Sequence, residues 1–194
     1  MLTPSLSEAD IALYDINEQR LRESELMLRT INKNANHDRA KIRTYQNRKE
    51  ALTGADFVIN AIQVGGYQPS TVIDFEIPKK YGLRQTIGDT MGIGGIFRTL
   101  RTLPVMLEFA REMEEVCPQA WLLNYTNPMA MLTMGILKGT KIKTVGLCHS
   151  VQVCVSELFK QLGISEQYNA DEFQWKIAGI NLSLIHISEP TRPY

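Results

Sequence analysis

The sequence predicts an α/β fold, a doubly wound parallel sheet with helices on both sides. Three observations predict it. Short apolar runs recur along the chain, most of them followed by a stretch with helical apolar spacing. The run Asp56-Phe57-Val58-Ile59-Asn60-Ala61 is apolar on both faces, as a buried parallel strand requires. Polar residues able to do chemistry stand at the ends of these runs, where open α/β sheets carry their sites. Right-handed crossovers between such units give a Rossmann-like sheet.

The elements follow in order. Ile11 to Tyr14 is a short strand ending at Asp15, and Asn17 caps the helix that presents Leu21, Leu28 and Ile31 on one face. Ile42 to Tyr45 is a second strand and Asp56 to Ala61 a third, broken by Gly65-Gly66. Thr71 to Tyr81 reads as helix. Gly82 to Gly95 holds five glycines and reads as a long loop. Arg98 to Val116 is helical, with a kink expected at Pro104. Trp121 to Asn124 is a strand, Met129 to Leu137 a helix, Lys143 to Leu147 a strand and Val151 to Leu162 a helix. Phe173 to Ala178 begins another strand.

Composition narrows the class. Lys plus Arg and Asp plus Glu are each 21 in 194 residues, which leaves no basic surplus for a nucleic-acid partner. Hydrophobic residues make up 44%, enough for a core. No apolar run approaches the ~18 residues of a membrane span, and Met1-Leu2-Thr3-Pro4 does not read as a leader. Three cysteines, Cys117, Cys148 and Cys154, fit a reducing cytoplasm better than a disulfide framework.

A glycine-rich phosphate turn should follow the first strand of a dinucleotide-binding sheet. None precedes Ile11, so the chain is expected to begin after the first strand and helix. Gly65-Gly66 is the alternative turn, with the wrong spacing for GxGxxG. Leu182 to Arg192 resembles a translated sequencing adapter. Residues 1–181 are therefore expected to be a partial dinucleotide-binding domain and 182–194 an artefactual tail, in which His186 carries no functional weight.

Several residues can carry chemistry. Asp15 can accept both hydroxyls of an adenosine ribose or act as a helix-capping acid. In Asn124-Tyr125-Thr126-Asn127-Pro128, the asparagines can bond sugar and ribose hydroxyls or serve the turn alone. Arg98 can hold vicinal hydroxyls or an anionic sugar group, or be a solvated helix-start residue, and Arg101 is the weaker candidate. Cys148 is a metal thiolate or a buried inert thiol. His149 can transfer a proton to a leaving group, or orient substrate or structure. His37 reads as surface, and Cys117 and Cys154 as core.

Together, Gly94-Gly95-Ile96-Phe97-Arg98-Thr99-Leu100-Arg101-Thr102, Asn124 to Pro128 and Val145-Gly146-Leu147-Cys148-His149-Ser150 resemble glycoside hydrolase family 4. These are NAD- and metal-dependent glycosidases, and the resemblance runs over residues 2 to 181. Cys-His-Ser-Val most resembles the family's α-galactosidases; α-glucosidases carry Asp where His149 stands, and α-glucoside and α-galacturonide remain alternatives. The resemblance implies an NAD site touching Asp15, Asn60 and Asn127, a substrate site of Arg98, Asn124, Asn127 and His149, catalysis at His149, and manganese held by Cys148. It implies an Asn127-Pro128 peptide that is cis, as in the lactate and malate dehydrogenase superfold, and a homo-oligomer. It also implies chemistry outside the two-carboxylate scheme. NAD accepts hydride from sugar C3, a tyrosine base takes the C2 proton, the glycosidic oxygen leaves, and water and hydride then return.

The family's second metal ligand is a histidine after a Gly-hydrophobic-Asn string. Here Gly179-Ile180-Asn181 is followed by Leu182. With that ligand, the phosphate turn and the base all lacking, the 194 residues alone are expected to be inactive. A 2-hydroxy acid dehydrogenase of the lactate or malate type would share the sheet and the Asn-Pro turn. It would need neither Cys148-His149 nor the glycine-rich run into Arg98.

Overall fold

The computed structural model describes residues 1, 3–85 and 90–163. The expected strand at 173–178, Asn181, Leu182 and the tail lie outside the described residues. In chain order the elements are β1 (Asp10–Tyr14), α1 (Glu18–Asn36), β2 (Lys41–Tyr45), α2 (Arg48–Leu52), β3 (Phe57–Asn60), α3 (Val72–Lys80), α4 (Gly92–Val116), β4 (Trp121–Asn124), α5 (Met129–Gly139), β5 (Lys143–Gly146) and α6 (Ser150–Gln161). The chain forms two compact units, Met1–Val58 with Arg111–Ala120 and Ile59–Ala110 with Trp121–Tyr194.

In the first unit β1 and β2 run parallel, in register from Asp10 with Lys41 to Tyr14 with Tyr45. The pair is parallel because α1 carries the chain back between them. α1 starts where the sequence predicts, with Asn17 Oδ1 accepting the Arg20 N–H at 2.9 Å. It ends at His37, which is exposed as predicted and left-handed at φ 55°. Two buried asparagines in α1 were not singled out by sequence. Asn36 donates to the Ser7 carbonyl at 2.7 Å and to Asn32 Oδ1 at 2.8 Å, and Asn32 donates to the Ala40 carbonyl at 2.9 Å. They satisfy backbone groups on either side of the β1–β2 ladder that would otherwise be buried unpaired. Helix α2 was also unforeseen, since one turn is too short to show periodicity; Asn47 caps it through the Glu50 N–H at 3.3 Å. Leu21, Ile42, Leu52, Met113 and Cys117 are among the buried apolar residues of this unit.

In the second unit the strand order is β3-β4-β5. β4 and β5 are parallel, in register from Trp121 with Lys143 to Asn124 with Gly146, with α5 as their crossover. The strands therefore divide between two ladders, where the sequence predicted a single sheet. α5 lies close on both sides. A Cβ at Gly146 would run into Met129 Sδ and come within 2.8 Å of Thr133 Oγ1. Cβ atoms at Gly135 and Gly139 would meet Leu103 Cδ1 at 2.5 Å and Leu107 Cδ2 at 2.8 Å on α4. Met106, Leu122, Leu132, Ile136 and Ile142 are essentially fully buried.

One boundary is corrected. α4 begins at Gly92, so Gly94 and Gly95 belong to helix and not to the expected loop, and the helix runs through Pro104 without ending. The reason is local. Gln85 Oε1 accepts the Gly94 N–H at 2.9 Å and so satisfies a first-turn donor. Gly95 passes so close to Thr90 that a Cβ would lie 2.8 Å from its backbone. These glycines serve close approach more than loop freedom. Of the remaining glycines in that run, Gly88 lies outside the described residues.

Candidate functional site at the strand ends

Asn60 and Asn124 close β3 and β4, and Cys148 follows the end of β5 by two residues. A dense backbone and side-chain network joins these ends. The Tyr125 N–H donates to the Asn60 carbonyl and the Leu147 N–H to the Asn124 carbonyl, each at 2.9 Å. Asn60 Nδ2 donates to Asn124 Oδ1 and to Thr126 Oγ1, both at 2.9 Å. Asn124 Oδ1 also accepts the Thr126 N–H at 3.1 Å, an Asx turn, and the Thr126 hydroxyl donates to the Ile62 carbonyl at 3.0 Å.

Asn60 and Asn124, expected to touch cofactor and substrate, are both buried in this network. Asn124 has no exposed surface and Asn60 only 2%. The Asn124 amide and Asn60 Nδ2 spend their hydrogen bonds on each other and on the 124–126 turn, while Asn60 Oδ1 is buried without a hydrogen-bond partner among the described residues. In this arrangement they fix the turn that presents Asn127. Thr126, 4% exposed, is the hub that sequence reading passed over; the Asn-x-Thr spacing of the Asx turn was its available signal.

Asn127 and Cys148 are half-buried and His149 is exposed. The Asn127-Pro128 peptide is cis, as expected, and so is Gln68-Pro69, which was not. Asn127-Pro128 leads into Met129, which packs against Gly146; Asn127 follows the end of β4, and Cys148 and His149 follow the end of its parallel neighbour β5. His149 precedes the first residue of α6, and its carbonyl accepts the Val153 N–H at 3.1 Å.

The two arginine candidates separate. Arg101 makes a bidentate pair with Asp74, Nη1 to Oδ1 at 3.1 Å and Nη2 to Oδ2 at 2.5 Å, and its Nε donates to the Val64 carbonyl at 3.1 Å. Asp74 is 2% exposed. The pair therefore fixes α3 and the Val64-Gly65 turn to α4, and the Asp74 carboxylate holds the Arg101 pKa up. Arg98, one turn earlier, is half-buried and lines a cleft of about 590 Å³ with Gln63, Tyr67, Thr71, Phe75 and Glu76. Gln63, Tyr67 and Glu76 were not singled out by sequence. Their membership depends on the fold of 61–80 and leaves no local signal.

At the end of β1, Asp15 is committed within its own unit. Arg20 Nε donates to Oδ2 at 2.6 Å, Arg20 Nη2 to Oδ1 at 2.8 Å and the Asn17 N–H to Oδ1 at 2.8 Å. Its side chain keeps 25% exposure. The Arg20 hydrogen bonds hold the Asp15 carboxyl below its usual range, against partial burial, with the Asn17 N–H adding to the lowering. The carboxylate is thus largely engaged by Arg20 and Asn17, and a ribose hydroxyl would share it with them or displace Arg20. The residue type and strand-end position fit a dinucleotide ribose. A divalent metal is fitted less well. It needs about three protein ligands, and among the described residues no three His, Cys, Asp or Glu side chains stand together. Cys148 alone does not make that site.

Comparison with known proteins decides the family. The sequence profile of family 4 glycosyl hydrolases matches residues 1–164.

The chain belongs to glycosyl hydrolase family 4.

It is 60% identical over 181 residues to an α-galactosidase of Bacillus subtilis, covering 93% of this chain and 41% of that protein. It is 35% identical over 185 residues to an α-galacturonidase of Thermoanaerobacter italicus, covering 93% of this chain and 39% of that protein. Among solved structures, it superposes on the 6-phospho-β-glucosidase of Thermotoga maritima, crystallised with manganese, NAD+ and glucose-6-phosphate. The TM-score there is 0.72 at 26% identity, over 80% of this chain and 36% of that one. The chain thus spans about two fifths of the length of the curated relatives it matches. Family membership removes the dehydrogenase alternative.

Proposed function

We propose that residues 1–181 are the dinucleotide-binding part of a cytoplasmic, NAD- and manganese-dependent α-galactosidase. The observation that carries this reading is 60% identity to an α-galactosidase, in a chain where Asn127 follows β4 and Cys148 and His149 follow its parallel neighbour β5. Three cysteines, an odd number, support the reducing compartment.

The chain's own groups divide the work. Asp15 would take ribose hydroxyls of NAD, and Asn127, held by the Asn60–Asn124–Thr126 network, would face cofactor and sugar. Arg98 would hold sugar hydroxyls from the cleft. Cys148 would give a thiolate to the metal, whose other donors must come from elsewhere. His149, exposed at the start of α6, would hold or pass a proton at the glycosidic oxygen. NAD, when bound, supplies a reversible hydride acceptor, which is why a carboxylate pair is not needed.

The test is a chimera in which this chain replaces the matching two fifths of the Bacillus subtilis relative. It should hydrolyse an aryl α-galactoside only with NAD, a divalent metal and a reductant, the last because a thiolate ligand is lost on oxidation. Cys148→Ser should abolish turnover with the fold retained by circular dichroism. Full activity without NAD, or in the Cys148→Ser chimera, would overturn the proposal.

A further inference from the structure

Gln63 lines the cleft of about 590 Å³ and stands between two points where the backbone is tied down. On one side the Thr126 hydroxyl donates to the Ile62 carbonyl at 3.0 Å. On the other, Arg101 Nε donates to the Val64 carbonyl at 3.1 Å. Both tethers are themselves held. Thr126 is 4% exposed and bonded to Asn60 and Asn124, and Arg101 is gripped by both carboxylate oxygens of Asp74, which is 2% exposed. Asp74 is anchored in turn. Its carbonyl accepts Gln85 Nε2 at 3.2 Å, and Gln85 Oε1 accepts the Gly94 N–H in the first turn of α4. The turn also packs on the arginine stem: a Cβ at Gly65, whose φ is 88°, would lie 3.1 Å from Arg101 Cδ. A guanidinium fork already fixed on a carboxylate makes its further bond with little additional loss of side-chain freedom.

We propose that Gln63 binds sugar hydroxyls in this cleft and that Arg101 is its positioning residue, acting through the Val64 carbonyl. The Gln63 side chain is exposed, and its Nε2 donates to the Thr71 hydroxyl at 3.3 Å. A primary amide has a second N–H and an oxygen with two lone pairs. Held in one place, it can donate to one hydroxyl of a sugar and accept from its neighbour. Fixing the backbone on both sides of Gln63 beforehand removes much of the ordering cost that a free loop bears on binding. This gives the Asp74–Arg101 pair a role beyond joining α3 to α4. An apolar pair of similar size would join the helices as well, but it offers the Val64 carbonyl no donor. The inference rests on the α-galactoside reading above and adds a substrate contact and the group that aims it.

The experiment is steady-state kinetics of the chimera described above on an aryl α-galactoside. Gln63→Ala should raise KM about tenfold with kcat within about threefold, the pattern of a lost binding contact. Arg101→Lys keeps a charge beside Asp74 but not the fork, and should raise KM by about three- to tenfold. The double variant Gln63→Ala/Arg101→Lys should stay within about twofold of Gln63→Ala, because both changes remove the same interaction. Asp74→Leu/Arg101→Met, an apolar pair, should keep the thermal midpoint and still raise KM. An unchanged KM in Gln63→Ala, effects that multiply in the double variant, or the parent KM in the apolar pair would each overturn the proposal. Failure of the unaltered chimera to turn over would instead count against the proposed function. Amide hydrogen exchange of the 194-residue chain then reads the tether without turnover. Residues 63–71 should exchange at least about fivefold faster in Arg101→Lys while β4 is unchanged. Unchanged exchange over residues 63–71 would overturn the positioning role.

Discussion

Three residues apart on α4, Arg98 and Arg101 carry the same charge into different fates. Arg101 pairs with a carboxylate 2% exposed, so Arg101→Ala leaves a buried charge without its partner. It should destabilise the chain by about 3–5 kcal/mol, and urea denaturation against the parent chain measures the loss. Arg48 and Glu112 give a pH-dependent counterpart. They pair at 2.5 and 2.7 Å with side chains 17% and 18% exposed, and the Arg48 hydrogen bonds hold the Glu112 carboxyl below its ordinary range. A carboxyl lowered in the folded state contributes stability above its unfolded pKa of about 4.3. That stability is lost as pH falls through the folded value. Glu112→Gln should therefore cost about 1–3 kcal/mol at neutral pH, and the difference from the parent chain should shrink as pH falls below about 4, read as melting temperature against pH. At this scale the sequence marks residue types at strand ends, and Asp15, Asn127, Cys148 and His149 do stand just past β1, β4 and β5. It does not show which way an amide turns. Asn60 and Asn124 face inward because a neighbouring strand end supplies their partners, and that is a tertiary fact.

Strands and helices were legible where the apolar period was long enough to read. β1, β2, β4, β5 and α5 stand within two residues of their expected bounds, and α1 starts at its expected cap. α2 was not visible because five residues do not establish a period. The start of α4 was misplaced because glycine ordinarily weakens helices, whereas here Gly95 is required by the backbone of Thr90. The same demand sets the α4–α5 crossing, where Gly135 faces Leu103 at 2.5 Å from where a Cβ would stand. Gly135→Ala gains helix propensity but overpacks that contact. It should lower stability by about 1–3 kcal/mol net of any propensity gain, and a rise in thermal midpoint would show that the crossing has room to spare.

For the molecule as a whole, the parallel ladders and the family follow from the same few strings, because a strand end that presents an Asn-Pro turn beside a Cys-His pair constrains both fold and chemistry. The cleft lined by Gln63, Tyr67, Thr71, Phe75, Glu76 and Arg98 was not legible, since α3 and α4 bring those residues to one place only in the fold. The central claim is that glycoside cleavage proceeds through oxidation and elimination, so that the C2 proton leaves the sugar and is replaced from solvent. The most direct measurement is hydrolysis of an aryl α-galactoside by the chimera in D2O, with the product examined by proton NMR. Galactose carrying deuterium at C2 is the expected result, and galactose retaining its C2 proton at full turnover would contradict the account.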